Sequence, residues 1–379
     1  MMSSHLLIPK KIFPNNLDII RFSLATSVIF CHSFAIYLGY DKFKITEPFM
    51  IWSHQQISIG TMAVDLFFVI SGCLILKSFS SSKTTIDYLQ KRVLRIYPGF
   101  IVAILASLIF AGFWGSGNPY TWDGYFNYLN NLNLIKEFIH LTTLQSPYQR
   151  VFFIGFPEPG LNDSVWTIQF EFVCYLLLPL FALLVFIKKK WFFLIAFSIA
   201  YLIVLLQLNG FIFPYSDKKH LFFGNPYFHP KFIMYFLAGA CFYNYRNYVP
   251  RYNILAVLSF IAVILSFAFI KCIDQVLPIA GSYLLFHFAF NQKIPFGNFA
   301  KYGDFSYGVY LYAWPIQALV NYFFYSHIGP YKLFMISTPL TLIAAFVSWH
   351  LVEKPFLKLK DKKGKQPLSS TSVATKQLN

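Results

Sequence analysis

Apolar runs of about 20 residues recur along the whole chain, and they constrain its fold more than any other feature. A helix of that length crosses the hydrocarbon layer of a bilayer. Only 12% of the residues are charged, whereas soluble domains average about 25%. So little charge cannot cover a water-soluble surface, which excludes an ordinary soluble enzyme and a disordered protein. The sequence therefore predicts an all-α, polytopic membrane protein.

Ten apolar runs are candidates for spanning helices. They cover residues 17–38, 61–79, 96–114, 166–187, 191–208, 231–245, 253–270, 272–290, 305–325 and 333–352. If both termini are cytoplasmic, 21 of the 31 Lys and Arg residues fall in inner segments and nine in outer segments. This bias agrees with the positive-inside rule, although the two longest loops are on the outside. We therefore expect about ten transmembrane helices and two cytoplasmic termini.

The chain is predicted to form one membrane domain over residues 1–360. Residues 361–379 are rich in Lys, Ser and Thr without apolar periodicity, which predicts a disordered, basic cytoplasmic tail. A net charge of +16 can indicate nucleic-acid binding. Here the basic residues lie in short loops between apolar runs, so we expect no nucleic-acid partner. The five cysteines have no paired spacing, and no metal site is predicted.

Two basic residues share one face of the first predicted helix. Ionisable residues inside a spanning helix are costly and often functional. Arg21 and His32 are 11 residues apart, which is about three turns, so they lie on one face about 16 Å apart. Alone, Arg21 would fit a membrane-surface anchor and His32 a hydrogen-bonded core residue. Their common face favours a functional site.

Two carboxylates are predicted at about the depth of His32. Asp65 lies near the outer end of the second predicted helix, and Glu171 near the outer end of the fourth. A carboxylate beside a histidine orients its ring and raises its basicity, as a general base requires. The sequence thus predicts a catalytic group of His32, Asp65 and Glu171. The alternatives are a helix cap for Asp65 and a structural polar pair for Glu171.

A pair of arginines follows the second predicted helix. Arg92 and Arg95 are i,i+3 neighbours on a helix and lie at the cytoplasmic membrane surface. Because a guanidinium group binds phosphate with two hydrogen bonds, the pair indicates a clamp for a phosphorylated cytosolic ligand. The alternative is ordinary positive charge flanking a membrane helix.

Several short motifs occur in order along nearly the whole chain. They are Arg21-x10-His32, Asp65 through Phe67-Phe68-Val69-Ile70-Ser71-Gly72, Arg92-x-x-Arg95, Trp166 with Glu171 and Tyr175, the segment from Ser306 to Pro315, and Glu353-Lys354-Pro355-Phe356. Together they resemble acyltransferase family 3, the integral membrane O-acyltransferases that acylate carbohydrates outside the cytoplasm. Two positions depart from the family pattern. Ala313 stands where the family often has a histidine, and Phe172 where a second carboxylate is common.

The resemblance implies a reaction, its partners and its location. An acyl group, most often acetyl, would pass from cytoplasmic acetyl-CoA to a hydroxyl of a surface polysaccharide or its lipid-linked precursor. The partners would be acyl-CoA, a carbohydrate acceptor and the lipid bilayer of the inner (plasma) membrane. Without the esterase-like domain of some members, this standalone membrane domain would complete the transfer itself.

The resemblance also implies roles for individual residues. Arg21, Arg92 and Arg95 would hold the CoA phosphates. His32 would deprotonate the acceptor hydroxyl or carry the acyl group briefly, with Asp65 or Glu171 orienting its ring. Saccharides stack on aromatic side chains, and the candidates for binding the acceptor are Trp166, Tyr310 and Trp314.

Two other functions remain open from the sequence. A transporter or flippase for a glycan or lipid-linked sugar would also need many helices, buried charges and aromatic loops. The chain lacks the internal repeat of many transporters, which argues against it. An acyl exporter would move acetyl groups outward to a separate transferase.

Overall fold

The computed structural model describes residues 7–8, 15–115, 121–131, 133–146, 153, 155–183, 190–211, 224–294, 296–297 and 299–362. This part of the chain forms helices and no β-strand. Residues 363–379 of the predicted tail lie outside the described residues, as do the loop residues 116–120 and 212–223.

Long helices occupy all ten positions predicted from the apolar runs, within the described ranges. They are α1 (Leu17–Leu38), α2 (Ile59–Ser81), α3 (Thr85–Gly115), α4 (Asp163–Leu183), α5 (Lys190–Leu208), α6 (His229–Asn244), α7 (Asn253–Ile270), α8 (Ile273–Val276, Leu277–Gly281 and Ser282–Ala289), α9 (Ser306–Phe324) and α10 (Pro330–Ser348, Trp349–Glu353 and Lys354–Lys362). Seven of the described helices are long and apolar enough to cross a membrane, namely α1 to α5, α7 and α10. The other three are shorter or more polar. The prediction of an all-α polytopic membrane protein is confirmed.

Polar caps set the starts of two helices earlier than hydropathy predicted. Ser58 caps α2, since its hydroxyl accepts a hydrogen bond from the amide of Thr61 at 3.1 Å. The Thr84 hydroxyl caps α3 in the same way, accepting from the amide of Asp87 at 3.1 Å. Helix α3 therefore begins at Thr85 rather than at residue 96. Its first turns carry the predicted arginine pair.

Two glycines fix how α2 faces its neighbours. Helices α2 and α6 cross so closely that a Cβ atom on Gly72 would collide with the carbonyl of Phe236. A Cβ atom on Gly239 would collide in the same way with the carbonyl of Val69. Small residues allow helix backbones to approach closely in membranes. This crossing turns the Val69 face of α2 towards α6 and leaves a different face for α4 and α9.

The connections contain short helices. Tyr40–Thr46 and Pro48–Trp52 join α1 to α2, while Trp122–Asn130 and Leu134–Thr142 lie between α3 and α4. Just before α4, the chain returns to pack against α9. The Asn162 side-chain amide donates to the carbonyl of Leu311 at 2.9 Å. This contact fixes the start of α4 beside the middle of α9.

Candidate active site

A cavity of about 380 Å³ lies among α2, α3, α4 and α9, beside the end of α10. Leu357 and Lys360 line the end near the terminus of α10, and Thr167 and Tyr310 line the other end. Along α2 the lining runs from Val64 to Ile75, which is about 16 Å of helix. The charged residues of its lining are Arg21, Arg92, Arg95, Lys360, Glu171 and Asp304.

One carboxylate in the lining joins two of the predicted arginines. Arg21 Nη1 and Arg95 Nη2 both donate to Asp304 Oδ2 at 2.6 Å, and we call these three residues the arginine triad. The Ser306 hydroxyl donates to Asp304 Oδ1 at 2.6 Å. Arg95 Nη1 also lies 3.6 Å from Oε2 of Glu353, a buried residue of α10. The triad therefore ties α1, α3 and the turn before α9 together.

The charge of Asp304 follows from its neighbours. Burial alone would raise the pKa of the Asp304 carboxyl, but Arg21, Arg95 and the Ser306 hydroxyl lower it by more. The net result is a pKa well below the ordinary aspartate value, so Asp304 is ionised at neutral pH. The triad contains two guanidinium groups and one carboxylate, and the Glu353 carboxylate, 3.6 Å from Arg95, offsets part of its remaining positive charge.

Arg92 is held differently from Arg21 and Arg95. Its Nη2 donates to the Ser78 hydroxyl at 3.2 Å, and its guanidinium carbon lies 5.9 Å from the ring centroids of both Tyr88 and Tyr175. Its Nε atom is buried and has no hydrogen-bond partner among the described residues. No carboxylate in the described ranges forms an ion pair with Arg92, so its charge is available to a ligand in the cavity.

Glu171 faces the cavity from α4. Its carboxylate accepts hydrogen bonds from the hydroxyl of Tyr175, one turn later, and from that of Ser71 at 3.2 Å. The Tyr88 hydroxyl in turn donates to the carbonyl of Tyr175 at 3.0 Å. These bonds hold Glu171 in one orientation, in which the carboxylate can accept a proton or hydrogen bonds from a ligand.

Tyr310 closes the other end of the cavity. Its hydroxyl lies 2.6 Å from the Thr167 hydroxyl and donates to the carbonyl of Ser164. These bonds join α9 to the start of α4. Of the three aromatic residues predicted to bind the acceptor, only Tyr310 lines the cavity.

His32 and Trp314 lie one turn of α9 beyond Tyr310, outside the cavity lining. Their rings pack edge to face with centroids 5.0 Å apart. Trp314 is fully buried and donates from Nε1 to the carbonyl of Gly160 at 3.0 Å. His32 is half-buried, and its Nδ1 atom is buried without a hydrogen-bond partner among the described residues. Arg21 and His32 both point towards α9 or the turn that precedes it.

Asp65 lies in a separate cluster, away from His32. Lys231 Nζ is 3.1 Å from Asp65 Oδ2 and 3.0 Å from Asp274 Oδ1, and we call these three residues the lysine triad. Asp65 is fully buried because it shares the α2 face of Val69 and Gly72, which packs against α6. The capping alternative for Asp65 is wrong, since α2 begins at Ile59.

Neither carboxylate forms the predicted pair with His32. Asp65 pairs with Lys231, and Glu171 accepts from two hydroxyl groups. Trp166 is also outside the cavity lining; its ring is 40% exposed and packs against Phe170, Phe228 and Phe232. The structure thus brings Glu171, Tyr310 and the three arginines together, and it separates His32, Asp65, Trp166 and Trp314 from them.

Comparisons with known proteins identify the family. The family model described as "Acyltransferase domain" (Acyl_transf_3) matches residues 15–352. The chain belongs to this acyltransferase family. This acyltransferase is 28% identical over 353 residues to an "O-acetyl transferase" of Shigella phage Sf6, covering 90% of this chain and 96% of that protein. It is 25% identical over 389 residues to "Nodulation protein 10" of Rhizobium leguminosarum bv. viciae, covering 91% and 94%.

No solved structure matches this acyltransferase. The family and the helices make it a multi-pass membrane protein, and together with the phage relative they support an O-acyltransferase reaction. Family membership implies an acyl donor and a carbohydrate acceptor.

Proposed function

We propose that this protein transfers an acetyl group from cytoplasmic acetyl-CoA to a hydroxyl of an extracytoplasmic polysaccharide or lipid-linked glycan, in the bacterial inner membrane. One observation carries the proposal. A single cavity combines a basic end, with Arg92 and Lys360, and a carboxylate, Glu171, farther along the membrane helices. That order suits a donor with phosphates at one end and a thioester at the other.

The basic end supports an anionic donor. Arginine binds phosphate through paired hydrogen bonds. Arg92 lines the cavity without a carboxylate partner among the described residues, and Lys360 adds a second positive charge from α10. In this proposal they hold the CoA phosphates, and the narrow cavity along α2 receives the pantetheine arm.

The chemistry requires a base and a route for one proton. The acceptor hydroxyl loses its proton as its oxygen attacks the thioester carbonyl; the carbon–sulfur bond breaks, and the CoA sulfur takes up a proton. In this proposal His32 acts on the acceptor side, as the base or as a transient acyl carrier. Glu171 faces the donor from the cavity. Tyr310 contacts the reacting groups from the cavity, and Trp314 supports the His32 ring, against which it packs.

The transfer itself is the test. Purified protein in lipid nanodiscs is incubated with radiolabelled acetyl-CoA, with and without cell-envelope glycans of the host. We expect base-labile label on a glycan with the wild type, and none with His32→Ala. His327→Ala is the matched control, because His327 is exposed at the end of the short 3₁₀ helix that follows α9. Equal ester yield from His32→Ala removes His32 from the chemistry, and failure to bind acetyl-CoA contradicts the donor assignment.

A further inference from the structure

Two of the arginines in the cavity already have carboxylate partners within the protein. Arg95 uses both terminal nitrogens, with Nη2 on Asp304 at 2.6 Å and Nη1 at 3.6 Å from Glu353. Arg21 uses Nη1 on the same oxygen of Asp304 at 2.6 Å. A phosphate group that binds a guanidinium through two hydrogen bonds needs the same donors. Carboxylate and phosphate are therefore competing partners for this pair.

The position of Asp304 is well defined. It follows Gly303, whose φ of 147° lies in the region that favours glycine, and Trp349 packs where a Cβ of residue 303 would lie. Its Oδ1 accepts from Ser306 at 2.6 Å, which leaves Oδ2 for both arginines. The turn before α9 thus presents one fixed carboxylate to two cations that line the cavity.

We propose that Asp304 sets the affinity of the cavity for its acyl donor by competing with the donor's phosphate groups for Arg21 and Arg95. This inference rests on the proposed function, because it takes the donor to be acyl-CoA. Arg92, which has no carboxylate partner among the described residues, makes the first contact with the donor. Arg21 and Arg95 contribute to donor affinity only to the extent that phosphate displaces Asp304 from them.

This competition has a signature that a structural role lacks. Removal of the Asp304 charge frees Arg21 and leaves Arg95 with only its longer, 3.6 Å contact to Glu353, so binding of an anionic donor becomes tighter. If Asp304 were only structural, its removal would have the opposite effect, because the arginines would become disordered and would bind the donor more weakly. A neutral donor such as acetyl-pantetheine has no phosphate to exchange, so its affinity does not depend on Asp304.

The experiment measures dissociation constants of acetyl-CoA and acetyl-pantetheine for the full chain in nanodiscs. For Asp304→Asn we expect about tenfold tighter acetyl-CoA binding and unchanged acetyl-pantetheine binding. Asp87→Asn is the matched control: it removes the same charge from the first turn of α3, where Asp87 pairs with Lys91 at 2.7 Å outside the cavity lining. It should leave both affinities unchanged.

Several outcomes would overturn the proposal. Unchanged or weaker acetyl-CoA binding by Asp304→Asn contradicts competition, as does an equal gain for acetyl-pantetheine. If the wild type binds no acetyl-CoA, the proposed function fails as well. If the wild type binds acetyl-CoA but Asp304→Asn binds it no more tightly, only the competition fails. Should Asp304→Asn not fold, Arg21→Gln provides a second test. Because Asp304 already pairs with Arg21, competition predicts a smaller loss of acetyl-CoA affinity than Arg92→Gln causes, and an equal loss would refute it.

Discussion

The two charged triads of this protein have opposite compositions. In the arginine triad one carboxylate, Asp304, lies between two guanidinium groups at 2.6 Å. In the lysine triad one ammonium group, Lys231, lies between two carboxylates at 3.1 and 3.0 Å. The first lines the cavity, and the second does not. The triad beside the cavity therefore has more cations than anions, with Glu353 as an additional neighbour of Arg95, whereas the triad where helices α2, α6 and α8 meet has more anions than cations.

The difference shows that helix face, rather than residue type or depth, decides whether a charged side chain lines the cavity or lies between packed helices. Asp65 follows the cavity-lining residue Val64 in sequence, but it points to α6 with Val69 and Gly72. Its carboxylate is sealed from the cavity and neutralised by Lys231. The guanidinium groups of the arginine triad, in contrast, line an open volume. In the proposed function, the lysine triad stabilises the fold, whereas the arginine triad serves the ligand.

The largest effect is expected from breaking the lysine triad. Lys231→Met leaves the fully buried Asp65 and the half-buried Asp274 without a cation, which should lower the free energy of unfolding by about 3–5 kcal/mol. Unfolding of the nanodisc-reconstituted protein, followed by denaturant titration, measures this loss. Lys332→Met is the control, because Lys332 is exposed at the start of α10. Equal stability of the two variants would show that the triad does not hold the helices together.

A smaller effect, on function alone, is expected from Arg92. Arg92→Gln removes the cation that has no carboxylate partner in the described chain, so the KM for acetyl-CoA should rise about tenfold to a hundredfold while folding is unaffected. Lys91→Gln is the matched control, since Lys91 is adjacent but pairs with Asp87 outside the cavity lining. Steady-state kinetics of both variants test the comparison, and an unchanged KM for Arg92→Gln would contradict the donor site.

The arginine triad should also contribute modestly to stability, with a defined pH dependence. The folded-state pKa of Asp304 lies below its unfolded-state value of about 3.9. The ion pairs of Asp304 therefore stabilise the fold fully at pH values above the unfolded-state pKa. This stabilisation is lost as the pH falls through the folded-state pKa. We expect the wild type to exceed Asp304→Asn by about 1 kcal/mol at pH 7, with the difference narrowing only below about pH 4.

Unfolding curves of the two proteins between neutral and acidic pH measure that difference. A difference that already narrows between about pH 7 and pH 5 would mean that Asp304 titrates near or above its ordinary value. The arginines would then not be its partners in solution.

The smallest effect is expected from balancing the charges of the lysine triad. Asp274→Asn removes the excess negative charge and leaves Asp65 paired with Lys231. We expect the free energy of unfolding to change by less than about 1 kcal/mol, in contrast to Lys231→Met. The same denaturant titration measures it. A loss as large as that of Lys231→Met would show that both carboxylates, rather than charge balance, hold the helices.

The apolar runs predicted the fold well, because a spanning helix leaves a long and simple signature. Helix α1 was predicted at its observed bounds of Leu17–Leu38. The start of α3 was missed by eleven residues, since its first turns are polar and depend on the Thr84 cap. Helical periodicity also placed Arg21 and His32 on one face, and both do point towards α9 or the turn before it.

Contacts between helices were less predictable. Asp304 lies in a short turn and belongs to no spacing pattern, so the sequence offered no signal for its pairing with Arg21, 283 residues earlier. The pairing of Lys231 with Asp65 was equally unpredictable, because an isolated lysine at a helix end resembles a charge that flanks a membrane helix. Asp65 was misplaced beside His32 because depth was predicted, but the rotation of α2 was not. That rotation depends on the close crossing at Gly72 and Gly239.

The central claim is that the arginine end of the cavity holds the donor. A density map of the protein in nanodiscs at saturating CoA tests it most directly. The account predicts CoA phosphates against Arg92 and Lys360, with the pantetheine arm running along α2 towards Glu171. CoA bound beside the lysine triad, or no bound CoA at saturation, would contradict it.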